Sequence, residues 1–377
     1  MGDGNRPAGR AADCAMTVLK DKISRQISAG GPISIADYMT ICLFDPEHGY
    51  YTTREPFGPA GDFTTAPEVS QMFGELVAVW LVEAWRQAGS PDGAVVAEIG
   101  PGRGTMIKDM ARTITRLAPE LAASGRFALI ETSPRLRAVQ RETLRNAGLD
   151  FAWHDSVEGL PAGPLFVVAN ELFDAVPIRQ FVKTDAGWRE RMVGLGEASA
   201  LRFVIGPAGI DPALLPPDAS SAPTGQIAEV APAREALMLT IAEHLAREGG
   251  AGLFIDYGHL EPALGDTLQA LRRHRYEDVL AAPGEADLTA HVDFAALAAV
   301  ARGRGLHVRT ATQGNFLLEL GLLERAGRLG AGKDASVQER IRGEVERLAA
   351  PNEMGNLFKV LIVTSWPRGH SARAGAD

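Results

Sequence analysis

Ala94-Val95-Val96-Ala97-Glu98-Ile99-Gly100-Pro101-Gly102-Arg103-Gly104-Thr105 is the stretch whose reading decides the fold. Val95 to Ile99 is short, β-branched and bounded by turn residues, the pattern of a central parallel strand. Gly100, Gly102 and Gly104 remove Cβ atoms where the backbone must turn tightly and let a ligand approach. A helix from about Thr105 to Arg116 would aim its free N–H groups at that ligand. A dinucleotide fingerprint reads G-x-G-x-x-G, whereas here the third glycine comes one residue early and Thr105 stands where that fingerprint wants Gly. Glu98, at the carboxyl end of the strand, would repel a pyrophosphate and suit an ammonium or sulfonium. The stretch therefore favours S-adenosylmethionine over NAD. The bland alternative is a tight strand-to-helix turn with no ligand.

Working outward, Phe127 to Ile130 reads as a second strand ending in Glu131, 27 positions after Gly104. An acid there can accept from both ribose hydroxyls of an adenosine. The alternative is that Glu131-Thr132-Ser133 caps the helix that follows Pro134. A third strand, Asp150 to His154, ends at Asp155 and Ser156, which could meet the adenine edge or cap their own loop. Leu165 to Ala169 is a fourth strand, running into Asn170-Glu171-Leu172-Phe173-Asp174-Ala175-Val176-Pro177. Ligands in open α/β sheets bind beyond the strands' carboxyl ends, which places Asn170, Glu171 and Asp174 at the site. An Asn cap with an acidic first turn is the alternative. Leu253 to Ile255 is a fifth strand, ending at Asp256 and Tyr257.

Upstream, Ser34 to Asp37 spells a capping box before a short helix. Gly58 to Glu68 is a loop carrying Asp62 and Phe63, and it opens one long helix through Trp85. Residues 177 to 206 turn β-like. Residues 259 to 290 are loop-rich, helices are expected at 315–329 and 336–349, and Phe358 to Thr364 is a last strand.

The 377 residues are 46% hydrophobic and 23% charged, with 47 acids against 38 bases for a net charge of −9. That balance gives no reason to expect nucleic acid as a partner. Cys14 and Cys42 are the only cysteines, so no disulfide framework is expected. The eight His are scattered without ligand spacing, and no metal site is proposed. No stretch approaches a membrane span of about 20 apolar residues. Met1 to Ala15 carries Asp3 and Asp13 and no apolar run, unlike a signal or transit peptide, so a cytoplasmic location is expected.

With these motifs in order the chain resembles the class I S-adenosyl-L-methionine-dependent methyltransferases, and within them the MidA-like family. The resemblance rests on Gly61 to Thr65, Glu98 to Gly104, Asn170 to Pro177, Ile255 to Gly258, Asp287 to Asp293, and Glu353 to Gly355 with Phe358 to Val360. It implies an α/β fold with a Rossmann-like, mostly parallel sheet and a late antiparallel strand. It also implies an N-terminal helical lid (1–89), a core (90–367) with insertions at about 177–231 and 259–350, and a polar tail (368–377). The family's mitochondrial members are protein arginine methyltransferases needed for respiratory complex I assembly. By resemblance the chain would methylate an arginine of a complex I-type subunit. A counterpart of the mitochondrial members' targeting segment is not expected from Met1 to Ala15.

The residues expected to hold the cofactor are Glu98, Gly100, Gly102, Gly104, Glu131, Asp155, Ser156, Asn170 and Phe63. A guanidinium calls for carboxylates that hold it bidentately. Glu171 and Asp174 are placed for that task, with Asp62 and Asp256 as further candidates and Phe63 and Tyr257 as walls of the cleft. Two other functions stay open: methyl transfer to a small molecule or another protein residue, and a non-catalytic assembly factor. Oligomeric state is not legible.

Overall fold

The structure is a computed structural model that describes residues 18–53 and 65–366. The main sheet has eight strands, a short Val292–Asp293 pairing in parallel with the end of the fifth of seven strands that lie in line: β1 (Val95–Ile99), β2 (Arg126–Ile130), β3 (Phe151–His154), β4 (Leu165–Asn170), β5 (Gly250–His259), β6 (His307–Thr312) and β7 (Phe358–Thr364). Their spatial order is β3-β2-β1-β4-β5-β7-β6. The first five are parallel to one another, while β7 runs antiparallel to both β5 and β6. The strand order reverses at β1, where the chain steps outward through β2 and β3 and then returns to β4. A crevice therefore opens at the carboxyl ends of β1 and β4.

Both faces of the sheet are covered, which is why its strands read as continuous apolar runs rather than alternating ones. Alternate side chains serve opposite faces. Val96, Val168, Leu253 and Val360 pack beneath helices Gln71–Gln87 and Thr105–Leu117. Val95, Ala97, Val167, Phe254 and Leu361 pack beneath Pro232–Glu248 and Phe294–Arg302.

Two smaller sheets lie outside this frame. Gly187–Leu195 pairs with Arg179–Thr184, Leu201–Ile205 and the N-terminal Ile33–Ser34, and Ile227–Val230 adds beyond Arg179–Thr184. The N-terminal segment is thus stitched to the sheet inserted after β4. Gln269–Arg272 pairs with Arg275–Glu277 and Asp287–Thr289 where the sequence reads as loop.

The capping box forms as its spacing predicts: the Ser34 hydroxyl accepts from Asp37 N–H and the Asp37 carboxylate accepts from Ser34 N–H. Helices depart from the sequence reading in two places. The long helix before β1 is broken into Ala66–Val69 and Gln71–Gln87 by an extended Ser70 (φ −159°). Ser70 Oγ accepts from Met72 N–H and donates to Glu344 Oε2 at 2.7 Å, a partner 274 residues away. The helix expected at 315–329 is two, Gln313–Glu319 and Leu322–Gly330, divided at the left-handed Gly321 (φ 88°). No helix among the described residues is long and apolar enough to cross a membrane. The tail 368–377 lies outside the described residues.

Candidate functional site

Two adjoining cavities open at the carboxyl ends of β1 and β4. The larger, about 640 Å³, runs from Gly100 and Gly102 past Ile130 and Glu131 to Phe44, Tyr51 and Leu172. The smaller, about 50 Å³, is lined by Thr65, Glu98, Met106 and Asn170. Gly100, Gly102 and Glu171 line both, so the cavities meet over the glycine turn.

The glycines are needed for backbone reasons that the geometry makes explicit. Gly100 and Gly102 have φ of 66° and 52°, where a side chain is strained. A Cβ on Gly100 would also come within 3.2 Å of Leu172 Cδ1. Gly104 (φ 80°) is the N-cap of Thr105–Leu117, whose first turn opens on the smaller cavity through Thr105 and Met106.

At that end Glu98 is 3% exposed, and its Oε2 has no hydrogen-bond partner among the described residues. Burial pushes its carboxyl up to about 8, against the Ile107 backbone N–H. Asn170 Oδ1 is likewise buried without a partner, while its Nδ2 donates to Glu171 Oε1 at 2.8 Å. Buried polar atoms are normally satisfied, so an orphaned carboxylate oxygen and an orphaned amide oxygen form an acceptor pair suited to an ammonium. A cofactor with a methionine-like amino group fits these residues. Binding such a group requires Glu98 ionised, so the ligand-free protein should release protons as it binds S-adenosylmethionine. Its affinity should rise with pH up to about 8 and then level off. Calorimetry in buffers of different ionisation enthalpy measures this directly, and Glu98→Gln should abolish the proton release.

At the other end Glu131 makes the capping contact its position allowed, while ribose binding stays the expectation for its place on the cavity wall. Its Oε1 accepts from Ser133 N–H at 2.8 Å, the capping interaction. Its carboxylate also lines the larger cavity and accepts from Gln140 Nε2 at 3.1 Å.

Glu171 lines both cavities in a strained conformation, with φ of 53°. Left-handed backbone at a non-glycine residue persists only where the surroundings over-determine it. Here the neighbouring strand does so. Glu171 N–H donates to Ile255 O at 2.9 Å. Asp256 Oδ2 accepts from the N–H groups of Leu172, Phe173 and Asp174 at 3.1, 2.9 and 3.1 Å. The Glu171 carboxyl is pushed up to about 8 by burial and then by the nearby Asp174.

The other acids fall into different places. Asp174 is buried behind the cavity wall, with Oδ2 accepting from Tyr257 O–H at 2.7 Å and Oδ1 without a partner among the described residues. Asp256 is fully buried and lines neither cavity. Its Oδ1 accepts from Tyr257 N–H at 2.9 Å, so its four backbone bonds make it an anchor for the turn. Asp256→Ala should therefore lower unfolding stability by about 3 kcal/mol, because several buried N–H groups lose their acceptor; denaturant titration measures it. Tyr257 is buried behind Asp174 and lines neither cavity. Asp155 is exposed, its side chain 85% accessible, and accepts from Arg137; neither it nor Ser156 lines the cavity. The physical reason is that β3 ends at the sheet edge, away from the crevice. Asp62 and Phe63 lie outside the described residues.

Arg234, buried beneath this turn, donates to the carbonyls of Val176, His291, Asp174 and Ala290 at 2.6–3.1 Å. It is the cation that Asp174 and Asp256 both feel. Sequence reading missed Arg234, Gln140, and the wall formed by Phe44 and Tyr51, whose rings stack at 5.8 Å. Arg234 lies in the first turn of helix Pro232–Glu248, Gln140 inside Pro134–Leu144, Phe44 at the end of Ile35–Phe44 and Tyr51 in Tyr50–Thr53, and none carries a local signature.

A family model described as "Putative S-adenosyl-L-methionine-dependent methyltransferase" matches residues 76–312. The chain belongs to this methyltransferase family. It is 35% identical over 376 residues to a protein of Danio rerio named protein arginine methyltransferase NDUFAF7, mitochondrial, covering 93% of this chain and 88% of that one. The Homo sapiens protein of the same name is 33% identical, covering 98% of this chain and 88% of its own. A crystal structure from Burkholderia thailandensis bound to S-adenosyl-homocysteine matches with a TM-score of 0.81 at 30% identity, covering 96% and 95% of the two chains. The class I α/β reading of the fold and the choice of S-adenosylmethionine over NAD both hold. The chain is a S-adenosyl-L-methionine-dependent methyltransferase.

Proposed function

We propose that this methyltransferase acts on an arginine guanidinium of a protein substrate, a respiratory complex I-type subunit by family resemblance. The observation that carries the reading is Glu171, a strained, desolvated carboxylate facing the cavity beside a second buried acid, Asp174. The nearby buried cation, Arg234, directs its N–H groups at backbone carbonyls. The acids around the turn thus remain in excess, and a cationic acceptor would balance them. The names borne by the Danio rerio and Homo sapiens relatives point the same way.

S-adenosyl-L-methionine supplies a methyl group made electrophilic by its sulfonium. Glu98 and Asn170 would hold its amino group, the Gly100–Gly104 turn its chain, and Glu131 its ribose. Glu171 would hold the guanidinium through one N–H of the reacting nitrogen and one of its neighbour, and accept the proton the reacting nitrogen loses as its bond to the methyl carbon forms and the carbon–sulfur bond breaks. Burial, and then the neighbouring Asp174, would keep the Glu171 proton affinity high enough for that acceptance. A cytoplasmic location is part of the same proposal.

Methyl transfer from labelled S-adenosyl-L-methionine into lysate proteins, followed by amino-acid analysis, tests the reading. Label in methylated arginine is the expected result. Label in small molecules or other residues moves the substrate class, and no label with cofactor binding intact points to an assembly factor.

A further inference from the structure

We infer that Gln140 is a positioning residue that sets the ribose acceptor and the glycine turn in one register. The inference rests on the reading that Glu131 and the Gly102 turn face the cofactor. Gln140 is 0% exposed in the interior of helix Pro134–Leu144. Its amide joins three elements at once. Nε2 donates to Gly102 O at 2.8 Å and to Glu131 Oε2 at 3.1 Å, and Oε1 accepts from Trp153 Nε1–H at 2.8 Å. The indole nitrogen can only donate, so it fixes which end of the amide is oxygen and which is nitrogen. The nitrogen must then face the turn after β1 and the acid after β2.

The consequence lies in the lone pairs left to Glu131. A carboxylate has about four acceptor positions. Ser133 N–H takes one on Oε1, Gln140 takes one on Oε2, and Thr132 N–H also donates to the carboxylate. The carboxylate is held from both oxygens and cannot rotate. What acceptor capacity the protein donors leave is fixed in direction, and it is this that would meet the ribose hydroxyls. Through Gly102 O the same amide ties that carboxylate to the turn that carries the rest of the ligand. Gly104 is part of the same contact, since a Cβ there would touch Gln140 Cγ at 3.7 Å. Gln140 lines neither cavity, so its influence on the ligand passes through Glu131 and Gly102.

The test is calorimetric binding of S-adenosyl-homocysteine and of its 2′-deoxy and 3′-deoxy ribose analogues to the full chain. The wild type should lose about tenfold in affinity for each missing hydroxyl. Gln140→Met keeps the volume and removes the hydrogen bonds. It should bind the parent ligand about tenfold more weakly, and its loss for a missing hydroxyl should shrink to about threefold or less, because the freed carboxylate no longer presents acceptors fixed in direction. Gln140→Glu keeps the shape but turns an oxygen toward Gly102 O and Glu131. It should show the same flattened discrimination with a larger loss of affinity than Gln140→Met. A purely structural role would lower affinity for all three ligands equally, and undiminished discrimination in either folded variant overturns the inference. Glu131→Gln separates the two claims. If it still distinguishes the ribose analogues as the wild type does, the ribose role of Glu131 itself is wrong. If it does not, while the Gln140 variants do, only the positioning role fails.

Discussion

Glu171→Gln should bind S-adenosyl-homocysteine within about threefold of the wild type and transfer methyl groups about 10²–10³-fold more slowly. The substitution preserves the side-chain length and an oxygen that accepts from Asn170 Nδ2, now at 2.8 Å. It removes the charge that would hold a guanidinium and the basic oxygen that would take its proton. The pH dependence gives a second signature. The carboxyl must be ionised to hold the cation, and burial with Asp174 pushes it up to about 8 in the free protein. With S-adenosyl-L-methionine saturating, so that Glu98 is already ionised in the complex, kcat/KM for the protein substrate should therefore rise with pH and level off above about 8. In Glu171→Gln that limb should flatten. Wild-type transfer by the variant would remove Glu171 from the reaction and leave the strained φ of 53° without a functional reason.

Gly102→Val should eliminate measurable cofactor binding, a loss of more than about 100-fold, in a protein that still folds. A β-branched residue at φ 52° costs roughly 1–3 kcal/mol of strain. Its methyl groups would stand in the space where the two cavities meet. The backbone relaxation that relieves the strain would also move Gly102 O from Gln140 Nε2, now at 2.8 Å. Calorimetry with S-adenosyl-homocysteine reads the loss, and thermal melting without ligand shows that the fold persists. Binding within tenfold of the wild type would show that the turn does not face the ligand.

Both expectations begin in features that neighbouring residues specify. Val95–Ile99 and the three glycines form a strand and a turn because β-branching, burial and missing Cβ atoms act within a few positions. Ser34 and Asp37 close their capping box over three residues, and Glu131 stands at a strand end where either capping or ribose binding is available. Local chemistry was enough to rank S-adenosylmethionine above NAD, because a carboxylate at Glu98 opposes a pyrophosphate whatever the rest of the chain does.

Other features depend on partners that distance in sequence conceals. Ser70 leaves the helix because Glu344 accepts its hydroxyl, and periodicity carries no trace of that bond. Asp256 reads as a strand-end acid like Glu171, yet three N–H groups from the adjacent turn converge on its Oδ2. Gln140 looks like an unremarkable helix-interior residue until β1, β2 and β3 bring Gly102, Glu131 and Trp153 around its amide.

The sequence by itself determined an open α/β fold with parallel strands, the glycine turn with its acid, and the acids grouped after β4, since each follows from short-range periodicity and steric freedom; the class I assignment came from the resemblance its motifs carry. Only the tertiary structure decided which of those acids faces a cavity, which anchors a backbone turn and which is solvated. The reason is physical: a carboxylate's role depends on the dielectric and the hydrogen-bond donors around it, and packing between distant strands supplies both.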